Sequence, residues 1–185
     1  MNENNKKPAL IPPHGGYRNL RSYQTAEMVY DATVAFCDRF IDKRSRTHDQ
    51  MVQAARSGVQ NIAEGSMASA TSKKTELKLT GVARASLEEL LLDGGVQLWA
   101  KDSLETLAIR RRYQSERSDK SDRSDPYSLK TASPEVAANT LICLSNQASY
   151  LLGKQLQGLE QQFLEQGGFT ERLYKARTQA RKTRI

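Results

Sequence analysis

The chain has 185 residues, of which 38% are hydrophobic and 6% aromatic, so it can form one hydrophobic core of modest size. Its 28 Lys and Arg against 21 Asp and Glu give a net charge of +7 and a pI near 9.5, which favours an acidic partner such as RNA or DNA. A polar N-terminal segment and the lack of long apolar stretches argue against a secretory signal and a membrane partner, and predict a cytoplasmic protein.

The first helix is predicted from about Arg21 to Arg44, after a flexible N-terminal arm. The arm covers residues 1–16, which are rich in Asn, Lys, Pro and Gly and offer little to bury. In the helix that follows, side chains of one face recur at spacings of three and four residues, as a helix requires. These residues are Ala26, Val29, Thr33, Phe36 and Phe40.

Two further helices follow. Val52, Ala55, Val59 and Ile62 repeat the helical spacing and predict a second helix that ends near Gly65. Ser72 is predicted as the N-cap of the third helix, because its hydroxyl can accept a bond from a free backbone N–H, and Glu76 suits the positive end of the helix dipole.

The end of the third helix has an unusual surface. Leu90 and Leu92 widen its apolar side beyond a single stripe, and Gly94 and Gly95 would each weaken an isolated helix by roughly 1 kcal/mol. Because glycine is unfavourable inside a helix, the two glycines indicate that another backbone passes close by. A kink in the helix is the alternative explanation for them. We therefore predict that these four residues lie at an interface between subunits.

The C-terminal third contains a linker, a long helix and a basic tail. Residues 102–132 are dominated by Arg, Ser and Asp, and predict a polar linker. Ser133 before Pro134 is a typical helix start, so a fourth helix is predicted over residues 133–166, with Gly167 and Gly168 as its stop signal. Residues 167–185 form a tail in which six basic residues accompany one acid, Glu171. Because no strand-like alternation competes with these helices, the predicted fold class is all-α, an antiparallel four-helix bundle.

The residues that could carry chemistry do not form a known catalytic or metal-binding pattern. Cys37 and Cys143 lie in apolar helical patterns and are expected to be buried thiols. His14 lies in the arm and His48 in a turn, and neither follows a glutamate by three residues, so no bundle-core metal site is predicted. Glycine-rich phosphate-binding loops and hydrolase motifs are missing from the sequence, so we predict no cofactor.

A pair of acids could still support catalysis. Glu64, Glu88 and Glu89 are candidates, but we interpret them as partners of Arg56 and Arg84 or as solvated residues of a helix surface. The prediction is therefore a protein that is not an enzyme.

The remaining candidates are basic side chains that could contact phosphates, with a solvated surface as the alternative for each cluster. Tyr113 and Tyr174 lie beside two of the clusters and could stack on unpaired bases. The predicted nucleic-acid contacts are Arg56, Lys73, Lys74, Lys78, Arg84, Arg110, Arg111, Arg112, Arg172, Lys175, Arg177, Arg181 and Lys182.

Three segments in the right order resemble the bacterial four-helix-bundle family of 23S rRNA intervening-sequence proteins. They are RSGVQNIAEG at residues 56–65, SKKTE at 72–76 and ASLEEL at 85–90, and YRNL at 17–20 resembles the opening of that family. The resemblance covers residues 17–101, the three-helix core, and residues 138–172 look like the suffix segment of a longer subgroup.

The family includes the accessory variability protein of diversity-generating retroelements. The resemblance implies a ring-shaped homo-oligomer, a pentamer as our choice, that binds nucleic acid and associates with a reverse transcriptase. Within the motif, Asn61 and Glu64 need polar partners if they are buried, and Gly65 suits a left-handed helix end or a close contact. We interpret Asn61, Glu64, Gly65 and Glu89 as structural residues.

The sequence thus supports three functional hypotheses. The first is a basic, oligomeric protein that binds structured RNA or RNA/DNA. The second is a protein-interaction scaffold in which nucleic-acid contact is incidental. The third, an enzyme that uses the acidic residues above, ranks last.

Overall fold

The computed structural model describes residue 11, residues 13–93, residue 96 and residues 129–182. In these ranges every regular element is helical, which confirms the predicted all-α class. The elements are a short 3₁₀ helix (Tyr17–Asn19), α1 (Arg21–Phe40), α2 (Arg46–Ala68), α3 (Lys73–Asp93), α4 (Pro134–Gln166) and α5 (Phe169–Lys182). No helix among the described residues is both long and apolar enough to cross a membrane.

The predicted helix ends with a clear capping signal are confirmed. The Thr75 amide donates to Ser72 Oγ at 3.2 Å, and the Val136 amide donates to Ser133 Oγ at 3.3 Å. Pro134 occupies the first turn of α4, where its missing N–H removes no intrahelical bond. Gly167 ends α4 with a φ of +68°, which only glycine adopts easily.

Two other predicted ends were wrong. α1 stops at Phe40, because Ile41 takes an extended backbone conformation. α2 continues past Gly65 to Ala68, so Gly65 is an interior residue of the helix and does not end it. At the start of α2, Ser45 Oγ accepts a bond from the His48 amide at 3.2 Å and caps the helix.

The first four helices pack as a bundle in which each contacts two neighbours: α1 and α3 both contact α2 and α4. Short connections make α1 antiparallel to α2, and α2 antiparallel to α3. Ser22, at the start of α1, donates to Gln155 Oε1 in the second half of α4 at 2.6 Å. Arg39, at the end of α1, donates to Leu129 O and, at 2.8 Å, to Ala132 O just before α4. α4 is therefore antiparallel to α1.

The core residues repeat at alternating spacings of four and three, which is typical of helices that cross at a shallow angle. On α2 the buried residues are Met51, Ala55, Gly58, Ile62 and Gly65. Val52 and Val59, which the sequence placed on the inner face, are only half-buried, so the true inner face is rotated by about one residue. Small residues were under-weighted in the prediction because apolar periodicity alone does not identify a buried glycine.

A glycine on α2, Gly58, allows α3 to approach closely. A Cβ added at Gly58 would lie 2.6 Å from Leu87 Cδ2, and one added at Gly65 would lie 3.4 Å from the backbone oxygen of Glu76. Gly65 lies inside α2, so it is not a left-handed helix end, and a Cβ added there would meet α3 at ordinary van der Waals distance.

The predicted subunit interface at the end of α3 needs a correction. Leu90 is only 1% exposed and belongs to the core of the single chain, so it cannot contact another subunit while the chain is folded. Leu92 is 75% exposed, because it lies two residues further round the helix. Gly94 and Gly95 lie outside the described residues.

Candidate nucleic-acid interface

The start of α5 is fixed to the turn between α2 and α3. Arg172 Nη2 donates to the backbone oxygen of Ala70 at 3.2 Å, across 102 positions of sequence. Ala70 lies three residues before Lys73, and the first turn of α3 carries Lys73 and Lys74. The contact therefore brings two basic segments of the chain to one end of the bundle. We call the first two turns of α3 together with α5 the basic end.

The lysines of α3 differ in their availability. Lys73 Nζ pairs with Glu76 Oε2 at 2.8 Å, and only 22% and 10% of these two side chains are exposed. Lys73 thus stabilises the start of α3 and is not a free cation. Lys74 and Lys78 are exposed and lie one helical turn apart, so they can reach the same bound anion or neighbouring ones.

α5 carries most of the exposed charge. The predicted tail is helical over Phe169–Lys182, and none of its residues is buried. Arg172 is half-buried through its bond to Ala70, whereas the other four cations are exposed. At 14 residues the helix is roughly 21 Å long, enough to follow several phosphates. The exposed cations are Lys175, Arg177, Arg181 and Lys182.

The turn before α5 is held by a carboxylate. The amide of Gly168 donates to Glu171 Oε2 at 2.9 Å, which is half of a capping box. The same carboxylate fills the space that a side chain at Gly167 would need. The two glycines were predicted as a stop signal for α4, but the role of Glu171 was missed. The signal for it was an acid three residues after the N-cap position.

The other predicted cations lie elsewhere. Arg56 is exposed on α2. Arg84 Nε pairs with Glu88 Oε1 at 3.0 Å, which agrees with one of the two interpretations of the acidic residues. Because about half of each side chain is exposed, the pair is worth roughly 0.3–0.5 kcal/mol. Residues 110–112, the other basic cluster, lie outside the described residues, as does Tyr113.

The motif residues divide into packing and surface positions. Asn61 Nδ2 donates to Ser57 O at 2.8 Å and to Ser57 Oγ at 3.1 Å. Ser86 Oγ of α3 donates in turn to Ser57 Oγ at 3.2 Å, so a polar chain joins α2 to α3. Glu64 and Glu89, which were predicted with Asn61 as structural residues, are exposed.

Cys37 in α1 and His48 in α2 are two further side chains of the described helices that could carry chemistry. Burial raises the pKa of the Cys37 thiol to about 12, so the thiolate is scarce near neutral pH. His48 has its Nε2 3.7 Å from Asp38 Oδ1 and its Nδ1 3.8 Å from Asp49 Oδ1, at the corner between α1 and α2. In the part of the chain that the structure describes, no three His, Cys, Asp or Glu side chains gather as metal ligands.

Comparison of the chain with protein-family models, with curated proteins and with solved structures finds no match. The resemblance to the intervening-sequence family therefore stays a prediction from the motifs at residues 56–65, 72–76 and 85–90. The positions and charges of the residues at the basic end are the features that indicate a function.

Proposed function

We propose that this protein is a non-enzymatic, self-assembling helical bundle of the cytoplasm that binds structured RNA or RNA/DNA through its basic end. The observation that supports the proposal is the bond from Arg172 to Ala70 O, which brings the basic helix α5 to the start of α3. Two clusters that are far apart in sequence thus lie at one end of the bundle, where their fields add.

The expected salt dependence follows from the number of exposed cations. Lys74 and Lys78 on α3 and the four exposed cations of α5 make six. If each neutralises one phosphate of a duplex, the slope of log K against log salt is roughly −5. Every charge reversal that removes one such contact makes the slope shallower by about one.

The test compares two double charge reversals that change the net charge equally. Lys175→Glu with Arg177→Glu alters the basic end. Arg44→Glu with Arg46→Glu alters exposed arginines at the α1–α2 corner, at the opposite end of α2. Binding of a structured RNA is measured by fluorescence anisotropy between about 50 and 300 mM salt.

We expect the α5 variant to bind far more weakly and with a slope shallower by about two, while the corner variant stays close to wild type. An equal loss in both variants would indicate that net charge acts without a defined surface. No binding by the wild type at about 50 mM salt would refute the proposal.

We further propose membership of the intervening-sequence family, assembly into a ring of five subunits and association with a reverse transcriptase. The motif resemblance supports these proposals, and Gly65 of its most specific segment is buried where α2 packs against α3. Repeated basic ends in one ring would raise avidity.

Light scattering measures the assembly, and a monomer at micromolar concentration would contradict it. Leu92 is 75% exposed at the predicted interface, so it is the side chain to replace first when the assembly is tested.

The second candidate function is a protein-interaction scaffold. Leu164 and Tyr174 are 77% and 73% exposed at the end of α4 and on α5, so apolar surface accompanies the cations there. Such surface suits a protein partner. Capture of a reverse transcriptase that survives nuclease treatment would favour the scaffold, and loss after nuclease would favour an RNA bridge.

A further inference from the structure

A polar groove lies between α3 and α4, away from the residues proposed above for the basic end. Its volume is about 510 Å³, and its lining includes Arg84 and Glu88 of α3 and Tyr150, Gly153 and Lys154 of α4. Sequence reasoning missed it, because its two walls are more than fifty residues apart in the chain.

The guanidinium of Arg84 is held in place on one wall. Its Nε pairs with Glu88 Oε1 at 3.0 Å, and Ser149 Oγ donates to the same oxygen at 3.3 Å. A Cβ added at Gly153 would lie 3.6 Å from Arg84 Nη1, so the guanidinium lies beside this turn of α4. Within the described residues its two Nη groups make no hydrogen bond, and they can serve a bound anion.

The other wall offers an aromatic ring and a second cation. Tyr150 is 58% exposed. Lys154 Nζ lies 5.9 Å from the centre of that ring and 3.4 Å from Gln157 Oε1, so it is only loosely held. The groove therefore combines a face for stacking with two cations. Its one acid, Glu88, is already occupied by Arg84 and Ser149.

We propose that this groove binds a single nucleotide unit, with the base stacked on Tyr150 and the phosphate between Arg84 and Lys154. A planar ring and an anion next to each other are the chemistry that these side chains recognise. The unit belongs either to an unpaired RNA strand or to a free mononucleotide. In the first case the inference rests on the proposed nucleic-acid function and adds a contact with a single-stranded base to the phosphate contacts of the basic end.

The test uses three probes: adenosine 5′-monophosphate, a single-stranded decamer of adenylate and an RNA duplex. Tyr150→Ala removes the ring, and Tyr150→Phe keeps it. Gly153→Leu fills the groove without harming the helix, since leucine is the better helix former. Gly158→Leu is the matched control, because this glycine of the same helix is exposed and has nothing within 4 Å of an added Cβ.

We expect Tyr150→Ala to bind the decamer roughly tenfold or more weakly, and Tyr150→Phe to bind it like wild type. Gly153→Leu should lose binding of the decamer, whereas Gly158→Leu should keep it. Binding of the duplex should be unchanged in all four variants. Thermal denaturation followed by circular dichroism checks that each variant is folded.

The outcomes separate this inference from the proposed function. If the decamer binds equally to Tyr150→Ala, Gly153→Leu and wild type, the groove is not the binding site. Binding of the duplex at the basic end would still support the proposed function in that case. If the monophosphate binds in a Gly153-dependent way and neither polynucleotide binds, the groove is a mononucleotide site and the proposed function fails. If neither the monophosphate nor the decamer binds, the inference is overturned.

Discussion

Replacing Gly58 by alanine perturbs a tight contact between α2 and α3. The added Cβ would lie 2.6 Å from Leu87 Cδ2 and 2.9 Å from Leu87 Cγ, whereas carbon atoms normally approach to about 3.5–4.0 Å. Leu87 is fully buried, so its side chain can move only by displacing other core residues. The substitution therefore forces a rearrangement between the two helices.

The size of the effect follows from a comparison with Gly158. Alanine at either position gains about 1 kcal/mol of helix propensity. At Gly158 nothing lies within 4 Å, so the variant should be more stable than wild type by roughly 0.5–1 kcal/mol. At Gly58 overpacking costs about 1–3 kcal/mol. The propensity gain is common to both variants, so the difference between their unfolding free energies is the overpacking cost itself.

Urea denaturation followed by far-ultraviolet circular dichroism measures this difference, at one protein concentration because assembly would shift the midpoint. Gly58→Ala in a Leu87→Ala background completes a double-mutant cycle, and there the alanine should become stabilising because its clash partner is gone. If Gly58→Ala stabilises the wild-type protein as much as Gly158→Ala does, the close α2–α3 packing is wrong.

Three further predictions concern single residues. Burial raises the pKa of Cys37 to about 12. Brief treatment with N-ethylmaleimide near pH 8 should therefore label the half-buried Cys143 first and leave Cys37 unlabelled. Equal labelling of the two cysteines in mass spectrometry would contradict this prediction. A hydrogen bond from Lys43 lowers the pKa of Asp38, so its contribution to stability is present above the unfolded-state pKa and is lost as the pH falls through the lower folded-state value. Asp38→Asn should therefore lower the urea midpoint at pH 6 and have little effect near pH 2, and an equal loss at both would refute the linkage. Gly167 has φ +68° and ψ −172°, so Gly167→Ala should raise the local conformational free energy by roughly 1–3 kcal/mol. Hydrogen exchange should then accelerate in α5 and not in the bundle. Unchanged protection of α5 would contradict the role of Gly167 in fixing the α4–α5 turn.

Local signals determined the starts of α3 and α4, the end of α4 and the fold class. A hydroxyl or a glycine at a helix end acts within four residues, so Ser72, Ser133 and Gly167 could be assigned without any tertiary contact. The same holds for the pair of Arg84 and Glu88, which lie one turn apart on one helix. Helical periodicity likewise excluded strands, because it depends only on spacing along the chain.

Only the tertiary structure decided which residues face inward and which distant segments meet. Leu90 and Leu92 are chemically identical, yet α2 and α4 pack against one side of α3, so one is buried and the other is 75% exposed. Gly58 is buried because Leu87 of another helix approaches it, and spacing within α2 cannot show this. The basic end depends on a bond across 102 residues, and the groove depends on the packing of α3 beside α4. Such contacts depend on the arrangement of whole helices, which periodicity along one helix does not specify.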